Sequence, residues 1–163
     1  MLIAIISDIH DNLINLEKCL NWCQANEVKE IFCCGDVANG ETLGVLAKNF
    51  SGPIRLVAGN MEIYGKDEVK KYKNIVYYGR TGRFKADGRK VGLCHEPFLL
   101  EKVKADGPCD IIFYGHTHKP WIADKDGVKT VNPGTLGGVF QKATFAAWET
   151  ETGRLELKIL EQL

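Results

Sequence analysis

The sequence predicts a mixed α/β fold, and three observations support this. A continuous apolar run over residues 2–6 is typical of a strand buried on both faces. A helical pattern follows, with Asp11 or Asn12 as its N-cap and an apolar face made of Leu13, Leu16, Leu20 and Cys23. From Trp121 onward the pattern is mostly of the β type. Since single cores commonly contain about 100–200 residues, we expect residues 1–163 to form one domain.

Short strands alternate with short helices between these two ends. Strand patterns cover residues 30–34, 54–58, 75–78, 83–85, 90–94 and 111–114, and helical patterns lie around 41–49 and 98–105. The β-rich end predicts two hairpins, residues 121–123 with 128–131 and residues 143–148 with 155–160. Their turns lie at Asp126-Gly127 and Thr152-Gly153, and Asp87-Gly88 is a further hairpin turn signal, since tight hairpin turns prefer Asp-Gly.

The charge balance argues against a general nucleic-acid binder. Lys+Arg and Asp+Glu each total 21, so the formal charge is zero and the chain lacks a global basic field. The segment 66–90 is locally basic, with nine Lys/Arg against three Asp/Glu. We interpret it as a solvated basic face, and the alternative is a patch that attracts a phosphorylated ligand.

The cysteines and the N-terminus predict a cytoplasmic protein. The six cysteines include no CxxC pair, and their apolar settings indicate buried thiols in a reducing compartment. The apolar start is too short for a signal peptide, and no run approaches the ~18 apolar residues of a transmembrane helix. We therefore expect neither secretion nor a membrane partner.

One arrangement recurs five times: a short buried strand followed by a polar residue that can bind a metal. The residues are Asp8 and His10, Asp36, Asn60, His95, and His116 with His118. All four histidines of the chain belong to this set. Functional groups of α/β proteins gather in loops beyond the carboxyl ends of their strands, so we expect these side chains to meet.

The ligand types indicate a transition-metal site. Imidazole and carboxylate together suit first-row divalent ions, and we expect Mn²⁺, with Ni²⁺, Fe²⁺, Co²⁺ and Zn²⁺ as alternatives. Seven ligands are too many for one tetrahedral ion but suit two ions with a bridging carboxylate. Asp36 is the predicted bridge, because its two oxygens can each bind one ion.

The five motifs together resemble those of the calcineurin-like metallophosphoesterases. They read Asp8-x-His10, Gly35-Asp36-x-x-Asn39, Gly59-Asn60, His95 and Gly115-His116-x-His118. The small size, Ser-Asp-Ile-His and the Asn-Pro-Gly-Thr turn resemble the short, uncapped branch that includes YfcE-type phosphodiesterases and the retromer subunit Vps29. The resemblance covers residues 1 to about 135.

The resemblance implies a fold and two ion sites. The fold would be a four-layer α-β-β-α sandwich of two mixed β-sheets flanked by helices. The first ion would be bound by Asp8, His10, Asp36 and His118. The second would be bound by Asp36, Asn60, His95 and His116. Asn60 and His95 would also stabilise the phosphoryl group during the reaction.

The sequence departs from the family at the third motif. The family often has a histidine after Gly-Asn that protonates the leaving group, and Met61 occupies that position. A thioether cannot donate a proton. Glu62 is an alternative acid, although its ordinary pKa of about 4.3 leaves it mostly ionised at neutral pH. Asn39 replaces a family aspartate outside the ligand set.

The predicted function is a dinuclear-metal phosphodiesterase that hydrolyses small phosphate esters by attack of a metal-activated water. Without an acid at Met61, we expect aryl esters or activated diesters to react better than alkyl monoesters. One alternative is a non-catalytic protein-interaction scaffold of the Vps29 type, and another is a nuclease of the same metal class. The absence of a cap domain leaves a surface that a homodimer could cover.

Overall fold

The computed structural model describes all of residues 1–163. It contains eleven strands: β1 (Leu2–Ile6), β2 (Glu30–Cys33), β3 (Ile54–Leu56), β4 (Ile75–Tyr77), β5 (Thr81–Ala86), β6 (Arg89–Cys94), β7 (Ile111–Phe113), β8 (Trp121–Lys125), β9 (Val128–Asn132), β10 (Thr144–Glu149) and β11 (Arg154–Ile159). Its α-helices are α1 (Leu13–Ala25), α2 (Gly40–Asn49), α3 (Lys66–Val69) and α4 (Leu100–Ala105). Two 3-10 turns cover Pro97–Leu99 and Leu160–Gln162.

The strands form two mixed sheets, as predicted. The first has the order β11-β10-β1-β2-β3-β4, with β1 to β4 parallel and β10 and β11 antiparallel at one side. The second has the order β5-β6-β7-β9-β8, with β6, β7 and β9 parallel and an antiparallel strand at each edge. All the strands that precede predicted ligands therefore lie in the parallel parts of the two sheets.

The strand β1 shows why its sequence is apolar throughout. Ile3 and Ile5 face the second sheet, whereas Ala4 and Ile6 face the helices. Successive side chains of a strand point to opposite faces, so a strand with two covered faces needs apolar residues at every position. The same alternation separates Phe32 from its neighbours in β2.

Three cores produce the predicted four layers. Between the sheets, the rings of Phe32 and Phe113 lie 5.8 Å apart, and that of Trp148 lies 5.5 Å from Phe113. Helices α1 and α2 cover the outer face of the first sheet through a second core, and α4 covers the second sheet by packing Val103 against Ile112. The α-β-β-α sandwich is thus confirmed.

The structure corrects several local expectations. The strands β2 and β3 end one and two residues before the predicted ends, although the amides of Cys34 and Val57 still donate to carbonyls of the neighbouring strands. The helix predicted over residues 98–105 begins as a 3-10 turn at Pro97. Asn12 is the N-cap of α1, where Leu13 is only half-buried and Cys19 lies in the core instead. Helix α3 was not anticipated.

Two expectations about the whole chain can also be compared with the structure. All six cysteines are buried and carry free thiols, as predicted. None of the helices is long and apolar enough to span a bilayer.

Candidate metal centre

The loops after five parallel strands meet at one end of the sandwich. Backbone hydrogen bonds hold the loops of the first sheet together: the amide of Asp8 donates to the carbonyl of Gly35 at 3.0 Å, and that of Ile9 donates to Asp36 at 2.8 Å. In the second sheet, the amide of Gly115 donates to the carbonyl of His95 at 3.0 Å. The prediction that the strand ends converge is confirmed by these contacts.

One group of potential ligands consists of Asp8, His10 and His118. The Nε2 atom of His118 lies 3.1 Å from Oδ1 of Asp8 and 3.1 Å from Nε2 of His10. Nε2 of His10 lies 3.7 Å from the same carboxylate oxygen. Two imidazole nitrogens and a carboxylate oxygen therefore point at a common centre.

A second group consists of Asp8, Asp36 and His95. Nε2 of His95 lies 3.2 Å from Oδ2 of Asp36 and 4.0 Å from Oδ1 of Asp8. The amide oxygen of Asn60 adjoins this group, at 3.1 Å from Nε2 of His95 and 2.9 Å from Nδ1 of His116. All seven predicted ligands thus lie in one continuous cluster, and their role in binding metal stays a prediction.

The Asp36 carboxylate lies between the two groups, but only one of its oxygens faces them. Oδ2 lies 3.2 Å from His95 and 3.8 Å from Nε2 of His10. Oδ1 instead accepts a hydrogen bond of 2.9 Å from the amide of Met61. The arrangement differs from the sequence expectation, in which each oxygen would bind one ion; here a bridge would use Oδ2 alone.

Backbone carbonyls fix the tautomers of two histidines. Nδ1 of His95 lies 2.7 Å from the carbonyl oxygen of Cys34, and Nδ1 of His118 lies 3.1 Å from that of Val139. Because a carbonyl oxygen can only accept, each Nδ1 carries a proton, and a neutral ring then has a free lone pair on Nε2. Such second contacts commonly orient metal-binding histidines.

The chemistry of the cluster fits a divalent cation. Oδ1 of Asp8 is fully buried and has no hydrogen-bond partner, although buried carboxylates are normally paired. Imidazole nitrogens of His118 and His10 lie 3.1 and 3.7 Å away, and their lone pairs would face this oxygen unless a cation or a proton lay between them. Donor types, burial and the orphaned oxygen all suit a metal, so the residues fit the predicted ions.

The directions of the pKa shifts indicate a negative electrostatic potential at the cluster. The nearby Asp8 carboxylate, 3.7 Å from Nε2, raises the pKa of His10 above its ordinary value, more than burial lowers it. Burial lowers the pKa of His95, but contact with Asp36 outweighs this effect and the net direction is upward. Burial also raises the pKa of Asp36, but the contact of 3.2 Å with the His95 imidazole outweighs this effect and the net direction is downward. A site that favours imidazolium also favours a metal cation.

The predicted ligands differ in their exposure to solvent. Asp8, Asp36 and His95 are buried, and His10 and His118 are half-buried. Asn60 and His116 are exposed. A ligand from solvent would therefore approach the cluster at its Asn60 and His116 side.

Backbone strain is concentrated at this end of the molecule. Left-handed φ angles between 48° and 69° occur at five of the seven predicted ligands: Asp8, His10, Asp36, His116 and His118. Few residues other than glycine adopt this region, and strained residues cluster at functional sites. The strained turns let consecutive loop residues aim their side chains at one centre.

Two glycines of the motifs are required by close approach. A Cβ atom at Gly59 would collide with Oδ1 of Asp36. A Cβ atom at Gly115 would collide with Oγ of Ser7 and lie 2.7 Å from Oδ2 of Asp8. The glycine that precedes a ligand in each of these motifs thus makes room for a carboxylate from another strand.

The structure also shows roles that the sequence did not indicate. The Glu62 carboxylate accepts hydrogen bonds from the amides of Val37, Ala38 and Gly59 at 3.0 to 3.3 Å and so ties together the Asp36 and Asn60 loops. Asn39 caps α2 by accepting from the amide of Thr42, away from the cluster. No signal in the sequence indicated these contacts, because they join residues that only the tertiary fold brings together.

Comparison with known proteins agrees with this geometry. Residues 1–153 match the Calcineurin-like phosphoesterase superfamily domain. A phosphodiesterase of Methanocaldococcus jannaschii is 29% identical over 149 residues, which are 85% of this chain and 86% of that protein. Among solved structures, an archaeal phosphodiesterase superposes with a TM-score of 0.88 at 24% identity and covers 98% of this chain and 99% of its own.

Two further structures belong to the branch that the motifs resemble. The phosphoesterase YfcE from E. coli has a TM-score of 0.71 at 18% identity, with 98% of this chain and 100% of that chain covered. Vps29 from Entamoeba histolytica, in a zinc complex, has a TM-score of 0.71 at 18% identity and 97% coverage of both chains. The chain, whose motifs, sheets and matched residues agree, belongs to the calcineurin-like phosphoesterase superfamily.

Proposed function

We propose that this protein is a phosphodiesterase that depends on two divalent metal ions. The observation that carries the proposal is the buried, unpartnered Oδ1 of Asp8 among histidine nitrogens, next to a second carboxylate that lies between two ligand groups. The proposed ligands are Asp8, His10, Asp36, Asn60, His95, His116 and His118. Mn²⁺ is the proposed ion, since a mixed imidazole and oxygen set suits it.

The bound ions would neutralise charge on the phosphoryl group and lower the pKa of a water. In the net reaction, a water oxygen forms a bond to phosphorus, the bond from phosphorus to the leaving oxygen breaks, and the water's proton is released. Asn60 and His116 are the exposed members of the cluster and would contact the phosphoryl oxygens. The phosphate contact of His95 stays a prediction, and because this side chain has no exposed surface, it would act from behind the exposed Asn60 and His116.

Met61 shapes the expected substrate. Its side chain is 54% exposed beside Asn60, at the position where the family often has an acid, and it offers no proton to a leaving group. A phenolate leaves without protonation, whereas an alkoxide does not. We therefore propose activated or aryl diesters as better substrates than alkyl monoesters.

The direct experiment is to measure metal content and Mn²⁺-stimulated hydrolysis of bis(p-nitrophenyl) phosphate. Asp36→Asn should retain the fold and lose activity, while Asp124→Asn, an exposed aspartate on β8, should behave as the wild type. Absence of hydrolysis with Mn²⁺, Ni²⁺, Fe²⁺, Co²⁺ and Zn²⁺ would refute the proposal.

The Vps29-type scaffold is the second candidate, favoured by the shared fold. Metal binding alone does not separate the two candidates, since the Vps29 structure itself contains zinc. A protein that binds metal but hydrolyses no phosphate ester would favour the scaffold.

A nuclease of the same class is less well supported. In the basic segment 66–90, Lys70 and Lys71 pair with Asp67 and Glu68, so part of the positive charge is internally compensated. Binding to nucleic acid that falls steeply with salt would favour the nuclease. The proposal also includes a cytoplasmic location, because six buried thiols are typical of a reducing compartment.

A further inference from the structure

Phe140 combines three unusual properties at the edge of the candidate metal centre. Its side chain is 93% exposed, the largest value among the large apolar residues with high exposure. Its φ angle of +61° lies in the left-handed region, which is a genuine outlier for a bulky residue. Its ring stacks on the imidazole of His118, with centroids 6.4 Å apart and an interplanar angle of 20°.

Neither folding nor chance explains this combination well. An exposed ring contributes little to a core, and strain of this kind persists only where the surrounding structure enforces it. Strained residues cluster at active sites and ligand clamps, and this one lies beside a residue of the candidate metal centre. The position of Phe140 therefore points to a role in binding.

The loop that presents Phe140 is fixed to the site. The amide of Gly137 donates to the carbonyl of Asp8 at 2.9 Å, and the side-chain amide of Asn12 donates to the carbonyl of Gly137 at 3.0 Å. Nδ1 of His118 contacts the carbonyl of Val139 at 3.1 Å. The ring is thus held beside one ligand group, with one face toward His118 and the rest of its surface in solvent.

We propose that Phe140 is a stacking platform for a planar aromatic group of the substrate, and that the group is a nucleobase linked through its sugar to the scissile phosphate. Stacking is tolerant of base identity, because every base has a π face. The neutral overall charge fits a small nucleoside phosphodiester better than a polymer. The inference rests on the proposed function for its catalytic meaning, although binding can be tested separately.

The test uses calorimetry on the Mn²⁺-loaded protein with two phosphate probes, adenosine 5′-monophosphate and ribose 5-phosphate. Both contain a ribose 5-phosphate group, and only the nucleotide has a base. Base stacking on an aromatic side chain corresponds to about 5- to 150-fold in affinity. We expect the wild type to prefer the nucleotide by a factor in this range, and Phe140→Leu to abolish the preference without changing the affinity for ribose 5-phosphate.

Two variants serve as controls. Phe140→Tyr retains a ring and should retain the preference. Phe98→Leu removes another exposed ring, 70% exposed and packed on Arg80, and should also leave the preference intact.

Three results would overturn the inference: no preference in the wild type, a preference that survives Phe140→Leu, or an equal loss of Mn²⁺ affinity in that variant. The last would show that Phe140 only shields His118 from solvent. Because binding is measured without turnover, failure of the stacking platform is distinguishable from failure of the proposed hydrolysis, which the diesterase assay measures.

Discussion

Asp8→Asn should affect the protein in opposite directions with and without metal. In the wild type, Oδ2 of Asp8 accepts hydrogen bonds from Ser7 Oγ at 2.5 Å and from the amide of His116 at 3.0 Å, whereas Oδ1 is buried without a partner. An asparagine can keep the first two contacts with its oxygen. Its amide nitrogen would then lie at the position of Oδ1 and could donate to Nε2 of His118, 3.1 Å away.

The magnitude follows from the cost of an unpaired buried polar group, about 1–3 kcal/mol. For a chain of this size, each 1 kcal/mol shifts Tm by roughly 2–4 °C. In alkaline, chelator-treated solution, where the imidazoles are neutral, Asp8→Asn should therefore raise Tm by about 2–12 °C.

Metal should reverse the order of stability. A ligand present at 100 times its Kd stabilises the native state by about 2.7 kcal/mol. The wild type should gain this stabilisation from Mn²⁺ at neutral pH, and the variant should lose most of it, because a neutral amide is a much weaker ligand than a carboxylate.

The assay is thermal unfolding of both proteins with chelator and across a Mn²⁺ titration. Asp124→Asn makes the same charge change at an exposed position and should show the wild-type response. A chelator-treated Asp8→Asn protein that is less stable than the wild type, or one with an undiminished Mn²⁺ response, would refute the reasoning.

Three further predictions concern the same end of the molecule. Met61→His should raise kcat on alkyl esters by about 10²–10⁴-fold and change aryl turnover little, in assays with one ester of each kind, since general acid catalysis is worth that much only for poor leaving groups. Gly115→Ala should cost about 1–3 kcal/mol in urea unfolding through overpacking, whereas Gly65→Ala, with open space around its Cβ position, should not. The metal-free protein should lose stability as pH rises from about 6.5 through the raised pKa values of His10 and His95. In that range the native state holds protons that the unfolded state has released. Urea unfolding between pH 6 and 9 measures whether the free energy of unfolding falls as predicted.

The sequence predicted the sheets well where both faces of a strand are covered. The run Leu2–Ile6 is apolar because each of its side chains has a core to fill, and that requirement is visible in one dimension. Helix α3 was missed because only Val69 of its four residues is buried, so it shows no apolar periodicity. Strand ends were predicted too late because the apolar run continues into loop residues that are still buried, as it does at Cys34, which packs in the core between the sheets.

The candidate site was predictable in its residue types but not in its geometry. The seven predicted ligands follow the ends of five strands, so local pattern and motif were enough to select them as candidates. The single oxygen of Asp36 that faces both groups depends on the amide of Met61, which belongs to another loop. The ring of Phe140 lies 22 residues beyond His118 in the chain, and no periodicity relates the two.

The structure also bears on the missing acid. Glu62 is the nearest carboxyl in the third motif, and burial raises its pKa above the ordinary value, which would favour a proton. Yet both of its oxygens accept backbone hydrogen bonds, Oε1 from Val37 and Gly59 and Oε2 from Ala38. A protonated carboxyl would give up one of these contacts, and a carboxyl that left the loops to reach a substrate would give up all three.

Glu62 therefore holds the loops of Asp36 and Asn60 in place rather than supplying a proton, and no other acid lies at the position of Met61. Protonation of the leaving group then depends on solvent, which reaches the half-exposed Met61 freely. A solvent proton is adequate for a leaving group that is stable as an anion and inadequate for an alkoxide. The identity of one side chain at the edge of the cluster, rather than the cluster itself, thus decides which esters the proposed enzyme can cleave.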